Sequence, residues 1–230
     1  MDQSVLRAII FDFNGILVDD EPLHLEMFQK VLREEGISIG EEEYTSRYLG
    51  LDDRGCFHAV YRDRRKNLDD RGLAELITRK ALYYRAAVEK GIRVFPGVRE
   101  LVPTLAARFP LVVASGALRN EIEFILQKIG LANYFQGIVS SEDVRQGKPH
   151  PETFLKALAI VSRRAAQESI LSSQCLAVED SKEGILAARS AGMKCLAVTN
   201  SYPAEELGMA DAVVQSLNDV DISRLEKIFI

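Results

Sequence analysis

The sequence predicts an α/β fold: a doubly wound parallel sheet, or Rossmann-like core, with an inserted all-helical domain. Five short β-branched or apolar runs have the length of buried strands, and four of them alternate with helical patterns in the second half of the chain. Alternation of strand and helix implies right-handed crossovers and therefore a parallel sheet. The runs are 6–11, 110–114, 137–140, 175–178 and 195–199.

Helical patterns divide the chain into a core and an insert. The core helices are predicted at 119–129, 151–161 and 182–191, and those of the insert at 21–35 and 69–90. Residues 20–95 contain no strand run, so they interrupt the sheet after its first strand. We expect a core of residues 1–19 and 92–230 and a helical domain of residues 20–91, hinged near 15–20 and 91–96.

The composition limits the partners and the compartment. The chain has 230 residues, 47% of them apolar, and a net charge of -5, which disfavours binding to nucleic acid or to anionic membranes. No segment approaches the length of a membrane span, and the apolar run near the N-terminus is too short for a signal peptide. Three cysteines without zinc or redox spacing fit a reducing compartment. We therefore predict a cytoplasmic protein without a nucleic-acid or membrane partner.

Polar side chains follow four of the predicted strands. Taken singly they are weak signals, because a lone Asp after a strand commonly caps a loop, Ser-Gly is a frequent turn pair, and loop lysines and adjacent acids are commonly solvated. The carboxyl ends of parallel strands share one edge of the sheet, however, where ligands bind. A nucleophilic acid, a hydroxyl with an unhindered N–H, a cation and paired acids for a metal together suit phosphoryl transfer. These residues are Asp12, Ser115, Gly116, Lys148, Glu179 and Asp180.

These positions carry a resemblance to a known family. The segments FDFNG, VVASG, GKPHP and VEDS resemble, in order, the four motifs of the haloacid dehalogenase superfamily. Over essentially the whole chain, the resemblance implies a Mg²⁺-dependent phosphohydrolase in which Asp12 forms an aspartyl phosphate. Ser115, Gly116 and Lys148 would hold the phosphate. The helical insert resembles the cap domain of the β-phosphoglucomutase and phosphoglycolate phosphatase branch.

The resemblance also implies a metal site and reveals one departure. Mg²⁺ would be bound by Asp12, the backbone carbonyl of Asn14, Asp180, and Glu179 directly or through water. The family has a second Asp, a general acid and base, where this chain has Asn14. An amide keeps the backbone carbonyl but cannot shuttle a proton. Because Gly15 follows, deamidation of Asn14 is one explanation, and an engineered substitution is another.

The insert supplies candidates for substrate selection. In the mutase branch, a cap-loop glycine has a lysine just before it and an arginine three residues after it; around Gly50 these positions hold Leu49 and Asp53. A second phosphate would meet a carboxylate there, which argues against a sugar-phosphate mutase. Arg47 and Arg54 are nearby cations that would serve instead, although solvated helix arginines are common.

His24 completes the set of candidates, either as a residue that orients a proton donor or as a partly buried helix histidine. The sequence thus predicts a phosphatase for a small phosphorylated metabolite, a monomer or weak homodimer. The alternatives are a phospho-ligand sensor or pseudo-enzyme, in which Asn14 has removed turnover, and a sugar-phosphate mutase.

Overall fold

A six-stranded parallel sheet organises the larger part of the chain. The computed structural model describes residues 5–49, 51–164 and 169–230. Strands in these ranges are β1 (Ala8–Phe11), β2 (Val18–Asp19), β3 (Arg93–Val94), β4 (Leu111–Ala114), β5 (Gly137–Val139), β6 (Cys175–Glu179), β7 (Lys194–Val198) and β8 (Ala212–Val214). The sheet order is β5-β4-β1-β6-β7-β8, with every pairing parallel. The predicted α/β fold with a parallel sheet is confirmed.

Helices account for most of the remaining described chain. They are α1 (Glu21–Glu34), α2 (Glu41–Arg47), α3 (Asp53–Asp63), α4 (Asp70–Lys90), α5 (Val98–Ala106), α6 (Arg119–Lys128), α7 (Glu152–Arg164), α8 (Lys182–Ser190) and α9 (Ile222–Lys227). Among the described residues, no helix is both long and apolar enough to cross a membrane.

The central strand β1 is buried on both faces. Ala8 and Ile10 belong to a core cluster that includes Phe154 of α7 and Ile185 of α8. Alternate residues of a strand point to opposite faces, so Ile9 and Phe11 face the other layer, and both are also fully buried. A strand covered on both sides suits a near-continuous apolar run such as AIIF.

Register brings the carboxyl ends of the strands together. Ile9 of β1 lies opposite Leu111 of β4 and Leu176 of β6. Just past the end of β1, the Asp12 N–H donates to the Val178 carbonyl at 2.9 Å. Residues that follow β1, β4 and β6 therefore lie along one edge of the sheet, as the sequence predicts.

The chain divides into two compact units, Met1–Asp19 with Arg93–Ile230 and Asp20–Ile92. The second unit contains α1 to α4. Two of its helices begin at aspartate caps: Asp52 accepts from the Gly55 N–H at 2.7 Å, and Asp69 accepts from the Gly72 N–H at 2.8 Å. The unit has its own apolar core, which includes Phe28, Val31, Phe57, Val60, Leu73 and Leu76.

Several predicted elements need correction. The sheet has a sixth strand, β8, whose three residues are too short for a recognisable run. The prediction that residues 20–95 hold no strand is wrong at Arg93–Val94, which pair with Val18–Asp19 in a separate two-stranded sheet. The predicted runs 6–11 and 195–199 shift to Ala8–Phe11 and Lys194–Val198, because hydrogen-bonded pairing, rather than apolar character, sets the ends of a strand.

Candidate active site

Three carboxylates cluster at the carboxyl edge of the sheet. Asp12 follows β1, Glu179 ends β6, and Asp180 comes next in the chain. One oxygen from each carboxylate lies within 4.8 Å of the others. Glu179 is fully buried and the other two are nearly so. The structure thus brings together the acids that the sequence predicts for nucleophile and metal ligands.

Lys148 is the cation that bridges this cluster. Its Nζ lies 2.8 Å from Asp12 Oδ1 and 2.5 Å from Glu179 Oε1. The ammonium also lies 5.3 Å from the centroid of the buried Phe154 ring, an additional favourable contact. The lysine is therefore held rather than solvated, and one oxygen of Asp12 has a fixed partner.

The cluster carries more negative charge than Lys148 can balance. Burial, opposed by Lys148 and assisted by Glu179, raises the pKa of Asp12 to about 7. Burial and then repulsion from Glu179 and Asp12 raise the pKa of Asp180 well above its ordinary range. Burial works against the charge on Lys148, but Asp12 and Glu179 outweigh it and raise the pKa of the ammonium. Three converging acids with one lysine fit a hard divalent cation with oxygen ligands, such as Mg²⁺.

Two glycines allow the carboxylates to approach the backbone. A Cβ on Gly15, whose φ is +76°, would lie 1.9 Å from Asp180 Oδ2. A Cβ on Gly184, in the first turn of α8, would lie 1.9 Å from the Glu179 carboxyl carbon. Both distances are far shorter than any non-bonded contact, so a larger residue at either position would displace a carboxylate.

Backbone and hydroxyl donors fix the Glu179 side chain. Its Oε2 accepts from Ser181 Oγ at 3.0 Å and from the N–H groups of Asp180 and Ser181 at 3.2 and 3.3 Å. Ser181 also caps α8 by accepting from the Gly184 N–H at 3.0 Å. One hydroxyl therefore connects the start of the helix to the carboxylate.

Ser115 and Asn14 lie next to each other, as expected of residues that follow neighbouring strands. Ser115 Oγ is 3.4 Å from Asn14 Oδ1 and accepts from the Ala117 N–H at 3.0 Å. Ser115 is buried, whereas Gly116 is exposed, and a Cβ on Gly116 would meet no atom within 4 Å. The roles predicted for Ser115 and Gly116 in holding phosphate stay predictions.

Two contacts to the carboxylate region were missed by the sequence analysis. Ser201 Oγ donates to Asp180 Oδ2, and Asn200 Nδ2 donates to the Gly15 carbonyl at 2.7 Å. Both residues follow β7, so the position after a strand, the signal that identified Asp12 and Asp180, was available for them as well.

In the helical unit, His24 belongs to a buried polar cluster. Lys80, which is 1% exposed, places Nζ 2.8 Å from His24 Nδ1 and also pairs with Asp53 Oδ1. His24 Nε2 lies 3.2 Å from Asp20 Oδ2, which also accepts from the Tyr84 hydroxyl. Since Nδ1 faces an ammonium, it is the acceptor, and Nε2 carries the proton toward Asp20. The partly buried helix histidine, one of the two interpretations, describes its surroundings.

The remaining candidates of the helical unit are less tightly held. Arg47 pairs with Asp63 at 2.8 Å, so its charge already has a partner. Arg54 is exposed on α3. Gly50 lies outside the described residues. Asp53, which was expected to face a second phosphate, pairs with Lys80 within its own unit.

The family assignment follows from this fold and from sequence similarity. The model of the haloacid dehalogenase-like hydrolase family matches residues 9–198, and the chain belongs to that family. It is a hydrolase of the phosphohydrolase class.

Three similar proteins illustrate the relationship. A chloroplastic 5-amino-6-(5-phospho-D-ribitylamino)uracil phosphatase of Arabidopsis thaliana is 30% identical over 95% of this chain, and the chain spans 57% of that relative's length. A fructose-1-phosphate phosphatase of Escherichia coli (strain K12) is 28% identical, over 83% of this chain and 95% of the relative. The crystal structure of a β-phosphoglucomutase from Clostridium difficile has the same fold, with a TM-score of 0.85, 21% identity and coverage of 98% and 97% of the two chains.

Proposed function

We propose that the protein is a Mg²⁺-dependent phosphatase that acts on a small phosphorylated metabolite through an aspartyl phosphate on Asp12. The observation that carries the proposal is the bridging position of Lys148 between Asp12 and Glu179, within a cluster of three carboxylates. The names of the relatives support a phosphorylated small molecule as substrate.

The residues would divide the reaction as follows. A carboxylate oxygen of Asp12 attacks phosphorus, the bond from phosphorus to the leaving-group oxygen breaks, and water then hydrolyses the acyl phosphate to release inorganic phosphate. Lys148 orients Asp12 and offsets negative charge beside it. Ser115 and the Gly116 N–H would hold phosphate oxygens.

Asp12, Asp180, Glu179 and the backbone carbonyl of Asn14 would hold the cation. Mg²⁺, when bound, supplies positive charge that draws the phosphoryl oxygens toward the nucleophile and stabilises the charge that develops on them. The excess of acids over cations at the cluster supports this assignment.

The residue Asn14 favours one alternative. Without a second carboxylate to move protons, the same site would bind metal and phosphate and turn over slowly or not at all, as a phospho-ligand sensor. The two functions differ for aryl phosphates, whose leaving groups depart without protonation. We expect measurable turnover of such substrates by the phosphatase.

The test is the initial rate on a chromogenic aryl phosphate with Mg²⁺ and with EDTA. We expect turnover with Mg²⁺ alone, and its loss in Asp12→Asn and Asp180→Asn. Asp70→Asn, at an exposed position in the first turn of α4, is the matched control and should keep the wild-type rate. Wild-type protein that binds Mg²⁺ and inorganic phosphate without turning over any ester would contradict the phosphatase and support the sensor.

Three broader assignments belong to the same proposal. The helical domain of residues 20–91 would serve as a cap that selects the substrate. A cytoplasmic location is supported by the acidic composition and by the cysteines Cys56, Cys175 and Cys195, which are buried free thiols. The oligomeric state is proposed to be a monomer or weak homodimer.

A further inference from the structure

The loop after β7 contacts the carboxylate cluster at two points. Ser201 Oγ donates to Asp180 Oδ2, the oxygen that a Cβ on Gly15 would strike. Asn200 Nδ2 donates to the Gly15 carbonyl at 2.7 Å. The two side chains thus fix both sides of one close approach: Ser201 holds the carboxylate, and Asn200 holds the backbone on which it rests.

This loop is itself fixed by neighbouring elements. At its start, the Thr199 N–H donates to the Val214 carbonyl of β8 at 3.0 Å. Further along, Lys182 at the start of α8 pairs with Glu206 and places its Nζ 4.9 Å from the centroid of the Tyr202 ring. The loop is therefore anchored on either side of Ser201, so the Ser201 hydroxyl has a defined position.

We propose that Ser201 and Asn200 are positioning residues that hold Asp180 and the Gly15 turn in the geometry that binds the divalent cation. The inference rests on the proposed Mg²⁺ site but not on phosphatase turnover. A carboxylate with one oxygen held by a hydroxyl cannot rotate freely, so less freedom is lost when it binds an ion. The Gly15 carbonyl, held by Asn200, keeps the turn at the positive φ that the contact with Asp180 requires.

The experiment measures Mg²⁺ affinity directly, by calorimetric titration of MgCl₂ into the metal-free, full-length protein without substrate. Loss of a residue that orients a metal ligand typically weakens metal binding by about 10–100-fold, and we expect Ser201→Ala to fall in that range. Asn200→Ala should also weaken binding. Ser201→Thr keeps a hydroxyl and should restore most of the affinity, a rescue that loss of structure alone would not give.

Matched measurements separate positioning from folding. Ser201 is exposed, so truncation to alanine opens no cavity, and thermal unfolding in EDTA should match the wild type. The rise in Tm on adding Mg²⁺ should be smaller in Ser201→Ala, because ligand stabilisation falls with affinity. Ser46→Ala, which removes an exposed hydroxyl that donates to the Glu42 carbonyl at 2.7 Å, is the control and should bind Mg²⁺ as wild type does.

The outcomes distinguish this inference from the proposed function. Wild-type Mg²⁺ affinity in both Ser201→Ala and Asn200→Ala would overturn the positioning role and leave the phosphatase intact. Metal binding that depends on Ser201, in a protein without turnover, would support the positioning role and contradict the phosphatase. A wild-type protein that binds no Mg²⁺ would overturn both.

Discussion

Replacing Asn14 by Asp tests the most unusual feature of the site. The amide and the carboxylate have nearly the same shape, so the change alters charge and proton transfer but not packing. Ser115 Oγ, 3.4 Å from Asn14 Oδ1, can donate to either group. A positioned general acid or base contributes roughly 10²–10⁴-fold in rate. The same gain, about 3–5 kcal/mol in the activation free energy, is expected for alkyl phosphates, whose leaving groups need a proton.

The structure also predicts a cost of this substitution. Asn14→Asp adds a fourth acid to a site where Lys148 already faces two carboxylates. Like charges favour the protonated form of one acid, which suits a general acid but destabilises the metal-free protein. We expect Asn14→Asp to have a lower Tm than wild type in EDTA and to gain more from Mg²⁺. Asn133→Asp, at an exposed position, controls for the added charge and should show neither effect.

The assay compares turnover of an alkyl and an aryl phosphate by the wild type and Asn14→Asp. We expect the ratio of alkyl to aryl turnover to rise in the variant, since aryl leaving groups need little protonation. Hydrolysis of the aspartyl phosphate also needs a base, so phosphorylated Asp12 should accumulate in the wild type, as seen by intact-protein mass, and decline in the variant. An unchanged ratio would mean that another residue already carries the proton, and this explanation of the site would be wrong.

Two further substitutions test packing at the site and in the helical unit. Gly184→Ala should weaken Mg²⁺ binding measured by calorimetry, because its Cβ would lie 1.9 Å from the Glu179 carboxyl carbon; Gly208→Ala, whose nearest contact is 4.0 Å, is the control, and equal affinities would refute the steric argument. Asp53→Ala leaves buried Lys80 without its carboxylate and should cost up to about 3 kcal/mol in urea unfolding, since Asp53 is itself partly exposed. Adding Lys80→Met should recover stability; a larger loss in the double variant would contradict this.

The main predictions from sequence succeeded where topology does the work. Asp12, Lys148 and Asp180 are far apart in the chain, yet each follows a strand, and a parallel sheet places such residues along one edge. Their proximity needs only the order of strands and helices, which hydrophobic patterns reveal. Strand β8, with three residues, and helix α5, which contains Pro103, gave no such pattern and were missed.

Other features depend on side-chain distances that no pattern of residue types specifies. That Gly184 must be glycine follows from the position of the Glu179 carboxylate, and the role inferred for Ser201 follows from one hydrogen bond to Asp180. Loop conformation sets these contacts, and the types Gly and Ser are common in loops of every kind. Such residues become visible only when the coordinates place them next to a group already identified.

Lys80 differs, because its signal was present in the sequence. It shares the buried stripe of α4 with Leu73, Leu76, Tyr84 and Val88, at spacings of three and four residues. A lysine within an otherwise apolar stripe must have a partner, since an unpaired buried charge is prohibitively costly. The partners that it finds are Asp53 and His24. The residue that sequence comparison places where a mutase has a phosphate-binding arginine, Asp53, therefore has an electrostatic role inside the helical unit, and replacing it by arginine would set two cations against each other.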